Sequence, residues 1–378
     1  MPGQPPIETP RPTPRRRSRA SCTKLRALPA PGTAAGGRGG LVGVAVVGCG
    51  YWGPNLVRAF FDTPDCRVIA LCDAQPERMG PLLQRHPSVE GTAYFGDLLR
   101  DPRIDAIAIA TPASTHADLA LRALRAGKHV LVEKPMALRS AEAEALIETA
   151  AQLDRVLMVD HTFAYTGAVR RIRELLDEGA LGELYYYDSV RINLGRVQHD
   201  INVIWDLATH DFSIMDYLLA RQPRAISAVA SAHIVPGRAD VAYITALYEH
   251  DLLAHIHVNW LSPVKVRQTL IGGDRRMVVY NDVEPTEKVK IYDRGVSCNL
   301  AADAPPRERV AYRLGDVYAP TLDNTEALIT ECRHFVECVR MGATPITDGL
   351  AGLRVVRMLE AAERSAQRGG ELIALDAP

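Results

Sequence analysis

The chain has 378 residues, 47% of them hydrophobic and 24% charged, and its formal net charge at pH 7 is −1. This length suffices for two domains with separate cores, and no run approaches the 18 uninterrupted apolar residues of a membrane span. Residues 1–40 carry eight Arg and Lys residues and one acid, a net charge of +7, which leaves −8 for residues 41–378. A mildly acidic folded part excludes general nucleic-acid binding.

Residues 1–40 are rich in Pro, Gly, Ala and Arg without apolar periodicity, which predicts a disordered basic tail. The arginine cluster raises the question of an export signal, but Lys24, Arg26 and two prolines interrupt the apolar region that such a signal requires. We therefore expect a cytoplasmic protein. The seven cysteines form no C-x-x-C pair and are odd in number, which is typical of small buried residues in a reducing compartment.

The first ordered element is predicted at Leu41, where the sequence LVGVAVVG begins. A continuous apolar run is typical of a strand buried on both faces. It leads into a G-x-G-x-x-G motif with glycines at Gly48, Gly50 and Gly53, followed by the helical pattern PNLVRAFF. The glycines permit a tight turn and the close approach of a pyrophosphate, and the helix N-terminus offers free N–H groups to the phosphates. The motif alone is weak, because glycine-rich turns are common.

Asp73 strengthens this prediction, because it ends the strand pattern CRVIALCD and lies 20 residues beyond Gly53. An acid at this spacing hydrogen-bonds the ribose 2′-hydroxyl of a dinucleotide. For an aspartate on its own, a strand-ending turn residue is the simpler interpretation. The carboxylate would repel a 2′-phosphate, so we expect NAD in preference to NADP. Arg78, which follows shortly after, is the feature that favours NADP.

Strand and helix patterns alternate as far as residue 162, which predicts a parallel, doubly wound α/β sheet and a dinucleotide-binding domain over residues 41–162. Ligands of such sheets bind outside the carboxyl ends of the strands. Three polar segments fall at these ends, namely Thr111-Pro112, Glu133-Lys134-Pro135 and His161. Lys134 is therefore expected at the mouth of the site. A solvated lysine paired with Glu133 is the alternative that the residues alone leave open.

From residue 163 the pattern changes to seven strand patterns with short turns, from ELYYYDSVRINL to KVKIYD. They predict an α+β substrate-binding domain over residues 163–378, with a large, mostly antiparallel sheet covered by helices on one face. The other face is available to a second subunit, so we expect a homodimer or homotetramer. His255 and His257 share a strand face, but no third ligand lies nearby, and we predict no metal site. The helical patterns near the C-terminus, with Cys332 and Cys338, are assigned to packing.

The helical pattern NVIWDLATHDFSIMDYLL carries Asp206 and His210 one turn apart. An imidazole has the intrinsic pKa of a general base near neutral pH, and a carboxylate one turn away can orient it. A surface pair is the more common explanation of this spacing. The segment before it is predicted as a polar loop, in which Arg191, Asn193 and Asn202 suit a hydroxyl-rich or anionic substrate. An ordinary solvated loop is the alternative.

Three segments resemble the glucose–fructose oxidoreductase/inositol dehydrogenase/rhizopine-catabolism (Gfo/Idh/MocA) family: GCGYWGPN, TPASTHADLALRALRAGKHVLVEKPMAL and WDLATHDFSIMDYL. The resemblance covers roughly residues 41–378. Its members are pyridine-nucleotide oxidoreductases of sugars and polyols. The resemblance implies that Lys134 lies between nicotinamide ribose and substrate hydroxyl, that the bond before Pro135 is cis, and that Asp206 and His210 face the nicotinamide. It also implies a substrate contact at Tyr165 and further cofactor contacts at Tyr51, Trp52, Thr111, Pro112, His116 and Glu133.

Within this family, three further segments look most like the UDP-N-acetylglucosamine(uronate) 3-dehydrogenase branch: DINVIWDLATHD, NWLSPVKVRQTLIGG and IYDRG. The resemblance therefore implies oxidation, or its reverse, at C3 of a UDP-linked aminosugar. His210, helped by Asp206, would take the hydroxyl proton, and Lys134 would stabilise the oxyanion. Thr166 departs from the Asn or His expected after Tyr165. The alternatives are a free sugar or inositol dehydrogenase and a non-catalytic NAD-binding sensor or repressor, against which the intact Lys134, Asp206 and His210 argue.

Overall fold

The computed structural model describes residues 40–195, 197–298 and 310–375. Apart from Gly40, the predicted basic tail lies outside these residues. Two main sheets organise the described chain, one of six strands and one of nine, together with a separate two-stranded ribbon. Among the described residues, no helix has the length and apolar character that a membrane span requires.

The six-stranded sheet is parallel throughout, with the strand order β3-β2-β1-β4-β5-β6. Its strands are β1 (Val42–Val47), β2 (Cys66–Cys72), β3 (Glu90–Thr92), β4 (Ala106–Ile109), β5 (His129–Glu133) and β6 (Leu157–Asp160). The helices between them are α1 (Gly53–Phe61), α2 (Gly80–Arg85), α3 (Phe95–Arg100), α4 (His116–Arg125) and α5 (Ser140–Gln152). The order reverses between β1 and β4, and ligands of doubly wound sheets bind at this point. The predicted fold is confirmed.

Side chains of the central strands alternate between two apolar cores, as the strand period requires. On one face, Leu131 and Met158 share a core with Leu56 of α1. On the other face, Val132 and Val159 share a core with residues of α4 and α5, such as Leu124 and Leu146. Because both faces are covered, these strands have the continuous apolar sequences from which they were predicted.

The nine-stranded sheet has the order β16-β13-β12-β11-β7-β10-β9-β8-β17. Its strands are β7 (Leu184–Leu194), β8 (Ala225–Ser231), β9 (Val241–Leu247), β10 (Leu253–Asn259), β11 (Leu261–Gly273), β12 (Met277–Asn281), β13 (Val289–Tyr292), β16 (Val317–Tyr318) and β17 (Ile373–Ala374). The ribbon pairs β14 (Gly295–Cys298) with β15 (Val310–Arg313). The seven predicted strands are present. Strands β7 and β10 pair in parallel, whereas the other pairs of this sheet are antiparallel.

Helices pack on one face of the nine-stranded sheet, as predicted. They are α6 (Gly167–Asp177), α7 (Thr209–Leu219) and α9 (Gly349–Gln367), and they contribute Ile172, Phe212 and Leu359 to the core below the sheet. Just before α7, residues Ile204–Ala208 form a π-helical turn. The opposite face carries a row of side chains in register across four strands, Tyr243, His257, Val190 and Gln268.

Helix α8 (Ala327–Met341) follows strand β16 of the nine-stranded sheet along the chain but packs beside the parallel sheet. Phe335 meets Phe60 of α1 edge to face, with ring centroids 6.4 Å apart. Cys332 and Cys338 are buried in the same core, in keeping with their assignment to packing. The helix ends at Gly342, whose φ of +63° is that of a left-handed C-terminal cap.

Candidate active site

The glycine motif folds as a turn between β1 and α1 that leaves room for a phosphate. A Cβ on Gly48, whose φ is +91°, would lie 2.5 Å from the Ala110 carbonyl oxygen, and one on Gly53 would lie 1.9 Å from the Gly48 carbonyl oxygen. These two positions therefore require glycine for the turn itself. At Gly50 the nearest atom to such a Cβ is Nη1 of Arg78, 3.9 Å away. The open space at Gly50, next to a cation and the start of α1, fits a pyrophosphate.

Asp73 lies at the end of β2, against this turn. Its Oδ2 accepts a hydrogen bond from Cys49 N at 2.7 Å, and its Oδ1 accepts one from Gln75 N at 2.8 Å. Each carboxylate oxygen keeps a second lone pair that a ribose hydroxyl could use. The neighbouring Cys49 is a neutral thiol, because burial, followed by the charge of Asp73, raises its pKa to about 12. The residues present thus fit a dinucleotide, and the remaining lone pairs of Asp73 suit a ribose hydroxyl.

The remaining predicted cofactor residues differ in their exposure. Tyr51 is 82% exposed, and Trp52 is partly buried with its Nε1 donating to Asp160 Oδ2 at 3.2 Å. Thr111 and Pro112 lie at the end of β4, where Oγ1 of Thr111 bonds Oγ1 of Thr115. These positions border the turn and the carboxyl edge of the sheet, where the motif placed them.

His116 joins the ends of two adjacent strands instead of facing solvent. Its Nδ1 lies 2.8 Å from the Pro135 carbonyl oxygen, and its Nε2 lies 2.8 Å from the Thr111 carbonyl oxygen. Its side chain is buried, and burial lowers its pKa more than the two carbonyls raise it. His116 thus fixes the backbone at Thr111 and Pro135, on either side of the predicted cofactor site. The Lys134–Pro135 bond is cis, as the resemblance implied.

Lys134 projects from the end of β5 onto the π-helical turn before α7. Its Nζ donates to the Asp206 carbonyl oxygen at 3.0 Å and to Asp206 Oδ1 at 3.2 Å, and both side chains are less than one fifth exposed. Asp206 Oδ2 accepts a second hydrogen bond from Trp260 Nε1 at 3.0 Å. The ammonium group is therefore held at a fixed point outside the carboxyl edge of the sheet.

His210 is half-buried and packs edge-on against Phe163, with ring centroids 5.1 Å apart. Burial, followed by the positive charges of Lys134, Arg191 and Arg267, lowers its pKa well below the ordinary value. The imidazole is thus neutral at physiological pH and able to accept a proton. The sequence predicted that Asp206 orients His210 from one turn away. In the described residues, however, Asp206 bonds Lys134 and Trp260, whereas His210 contacts Phe163.

Of three predicted substrate residues, Arg191 and Asn202 have structural partners in place of a free side chain. Arg191 and Asn193 lie in β7, not in a loop, and Arg191 forms a buried ion pair with Asp211, Nε to Oδ2 2.8 Å. Asn202 caps the π-helical turn, since its Oδ1 accepts from Ile204 N, and its Nδ2 donates to Glu363. The expectation of a polar loop is therefore wrong for Arg191 and Asn193. Arg191 still lies close to the site, because its guanidinium stacks over Phe163.

Tyr165 is a correction to the expected substrate contact. Its side chain is 1% exposed and its hydroxyl lies 3.2 Å from Thr347 Oγ1, inside the core next to α8. Thr166, which follows it, caps α6 by accepting a hydrogen bond from Val169 N. A tyrosine within an apolar segment packs inward when a buried hydroxyl partner is available, and Thr347 supplies one.

Sequence reasoning missed several polar residues of this region. Trp260 holds Asp206, and Asp160 holds Trp52 of the glycine turn. His161, noted only for its place at a strand end, is buried with neither ring nitrogen hydrogen-bonded in the described part of the chain. Glu331 reaches the end of β6 from α8 and is completely buried. None of these four belongs to a recognisable local motif.

No group of three or more His, Cys, Asp or Glu residues with the arrangement of a metal site occurs in the described part of the chain. The ring of Tyr243 stacks on His257 with centroids 4.3 Å apart and lies 6.2 Å from that of His255. These histidines thus lie on the outer face of the nine-stranded sheet, away from Lys134 and His210.

A glycine turn, an acid at the end of β2 and a fixed ammonium beside a neutral imidazole define a dinucleotide-dependent oxidoreductase acting on hydroxyl groups. Two family models agree: an oxidoreductase family model with an NAD-binding Rossmann fold matches residues 42–161, and the GFO/IDH/MocA C-terminal domain matches residues 169–280. The chain belongs to the Gfo/Idh/MocA family, and it is an NAD(P)-dependent dehydrogenase of the sugar and polyol type.

Relatives with different substrates resemble the chain to similar degrees. D-apiose dehydrogenase of Paraburkholderia graminis is 25% identical over 86% of this chain and 88% of its own length. UDP-N-acetylglucosamine 3-dehydrogenase of Acidithiobacillus ferrooxidans is 29% identical over 67% of this chain and 76% of its own. The solved WlbA dehydrogenase of Bordetella pertussis, in complex with NADH and UDP-GlcNAcA, shares the fold with a TM-score of 0.75 at 20% identity, covering 90% of this chain and 99% of its own.

Proposed function

We propose that the protein oxidises, or in reverse forms, a secondary hydroxyl at C3 of a UDP-linked N-acetylaminosugar or its uronate, with NAD as the cofactor. The observation that carries the proposal is the fixed Lys134 ammonium, paired with Asp206 beside the neutral His210 imidazole. The similarity to a UDP-N-acetylglucosamine 3-dehydrogenase supports the same class.

The proposed reaction assigns one role to each side chain. His210 accepts the proton of the sugar hydroxyl, and its neutral state at physiological pH leaves a ring nitrogen free to do so. Lys134 donates a hydrogen bond to the same oxygen, which gains negative charge as the C–H bond breaks. Asp206, which accepts a hydrogen bond from Trp260, holds Lys134 in place. NAD, when bound, supplies the nicotinamide C4 that receives the hydride.

The substrate class is tested by following NADH absorbance with the purified protein, NAD and three panels of compounds: UDP-aminosugars, free sugars and inositols. We expect kcat/KM for the best UDP-aminosugar to exceed that for any free sugar by about 100-fold or more, the discrimination expected of a site with polar groups dedicated to one substrate. Turnover of free sugars or inositols, without turnover of UDP-aminosugars, would establish the alternative that the D-apiose dehydrogenase relative favours. NAD binding without any turnover would establish a sensor.

The preference for NAD is tested at Asp73, because its carboxylate would repel a 2′-phosphate. Asp73→Asn retains an oxygen for Cys49 N but loses the charge. We expect kcat/KM for NAD to fall about tenfold or more, the loss of a hydrogen bond to a charged group, and kcat/KM for NADP to rise. Asp62→Asn, at an exposed acid that follows α1, is the matched control. An unchanged NAD to NADP ratio would contradict this role for Asp73.

We further propose that residues 41–162 bind the cofactor and that residues 163–378 bind the substrate. Residues 163–378 also form the contacts of a homodimer or homotetramer, which is located in the cytoplasm. The face of the nine-stranded sheet without helices is the surface for a second copy of the chain. Its row of Tyr243, His257, Val190 and Gln268 is only partly exposed and mixes apolar with neutral polar groups. Analytical ultracentrifugation of the full chain tests this assembly, and a monomer at micromolar concentration would rule it out.

A further inference from the structure

Three carboxyl groups meet behind the glycine turn, at the ends of β5 and β6. Glu133 and Asp160 are register partners in adjacent parallel strands, and strand alternation directs both to the face of the sheet on which α8 packs. Glu331 approaches from α8 with a fully buried side chain, and neither carboxyl oxygen has a hydrogen-bond partner among the described residues. A buried carboxyl without a partner is costly, so its state requires an explanation.

The charges around Glu331 favour a proton on this carboxyl. The groups that face it are acidic or neutral: Asp160, Glu133, Thr162, Tyr165 and Cys332. Burial, followed by the charge of Asp160, raises the pKa of Glu331 well above its usual range. Burial, followed by the charge of Asp160, also raises the pKa of Glu133, and the Lys134 Nζ that opposes this is committed to Asp206. Like charges in one dry site cannot all ionise, and a shared proton resolves the conflict.

Asp160 connects this cluster to the cofactor turn. Its Oδ2 accepts from Trp52 Nε1 at 3.2 Å and its Oδ1 from the Thr162 hydroxyl at 2.5 Å. Trp52 directly precedes Gly53, where α1 and its free N–H groups begin. The orientation of Asp160 therefore determines where the indole, and with it the turn, is held.

We propose that Glu331, as a protonated carboxylic acid, donates a hydrogen bond to Asp160 and so positions Trp52 and the glycine turn for dinucleotide binding. Glu331 is a positioning residue, since it acts on the cofactor through Asp160 and Trp52. The inference rests on the proposed NAD binding and adds a link from α8 to the turn. It requires no metal or further ligand, only a proton.

The test measures NADH affinity by fluorescence, without turnover, for Glu331→Gln, Glu331→Leu and the control Glu337→Gln on the same helix. The amide of Glu331→Gln donates as the protonated acid does, so we expect its NADH Kd at pH 7 to be unchanged. Glu331→Leu is expected to raise Kd about tenfold, because Asp160 loses a donor. The proposal would be overturned if Glu331→Gln lost NADH affinity tenfold while Glu337→Gln did not. Wild-type NADH affinity in Glu331→Leu would also overturn it.

A second readout needs no cofactor and separates this inference from the proposed function. A carboxyl whose pKa is raised in the folded state gives its full stability below its unfolded pKa, and this stability is lost as the pH rises through the folded pKa. Glu331→Gln has no such proton to lose. Its Tm should therefore increase relative to wild type as the pH rises above 4.5, the ordinary carboxyl value, whether or not NADH binds. A Tm difference independent of pH would show that Glu331 is ionised throughout and overturn the proposal.

Discussion

Lys134→Met is expected to lower kcat by about 10²–10³-fold, the effect of removing one preorganised donor from a developing oxyanion. Methionine keeps the length and apolar stem of the side chain but removes the ammonium that Asp206 holds at 3.2 Å. The KM for the sugar should change less than kcat, because the oxygen gains its charge only in the transition state. Steady-state kinetics at saturating NAD, with direct NADH binding, measure both effects.

Lys265→Met is the matched control, because it makes the same substitution at an exposed lysine of β11 and should leave kcat unchanged. In Lys134→Met the buried Asp206 carboxylate loses the lysine and keeps Trp260 as a donor. Circular dichroism of this variant therefore distinguishes a loss of catalysis from a loss of fold. Full turnover of Lys134→Met with normal NADH affinity would exclude Lys134 from the reaction.

The sequence predicted the parallel sheet and the positions of its ends because these features are local. An apolar run followed by Gly48 or by Lys134 marks a buried strand and its carboxyl end without reference to the rest of the chain. Five such ends, at Gly48, Asp73, Thr111, Lys134 and His161, meet at one edge because the strands are parallel. The resemblance then supplied the chemical role of Lys134, which its flanking residues alone left open.

Contacts between distant segments could not be predicted in this way. Glu331 is 171 residues from Asp160 in sequence and is one of several charged positions in an amphipathic helix. Tyr165 was assigned by the resemblance and Arg191 by nearby polar residues, yet their partners Thr347 and Asp211 come from other elements. These side chains are positioned by tertiary packing, which leaves no local pattern to read.

The relation of Asp206 to His210 shows the same limit within one helix. A spacing of four residues predicts neighbouring side chains only for the 3.6-residue turn of an α-helix. Here Ile204–Ala208 is π-helical, and its wider turn directs Asp206 to Lys134 and Trp260. π-helical turns are frequent at functional sites, which agrees with a turn that positions the lysine proposed to act in catalysis.

His210→Asn is expected to lower kcat for sugar oxidation by about 10²–10⁴-fold, the contribution of a positioned general base. Asparagine keeps a polar side chain of similar size but cannot accept a proton, so NADH affinity should be retained. His250→Asn, at an exposed histidine whose positive φ asparagine also adopts, is the matched control. A variant with wild-type kcat would show that the hydroxyl proton leaves by another route.

The pH profile tests the same assignment independently. A base must be unprotonated to act, so wild-type activity should be lost as the pH falls through the folded pKa of His210, which burial and the surrounding cations place well below 6.5. Lys134 is the first of those cations, and removing its charge raises the pKa of His210. The residual activity of Lys134→Met should therefore decline at a higher pH than that of wild type, whereas Lys265→Met should follow wild type. An acid limb unmoved by Lys134→Met would mean that a group other than His210 takes the proton.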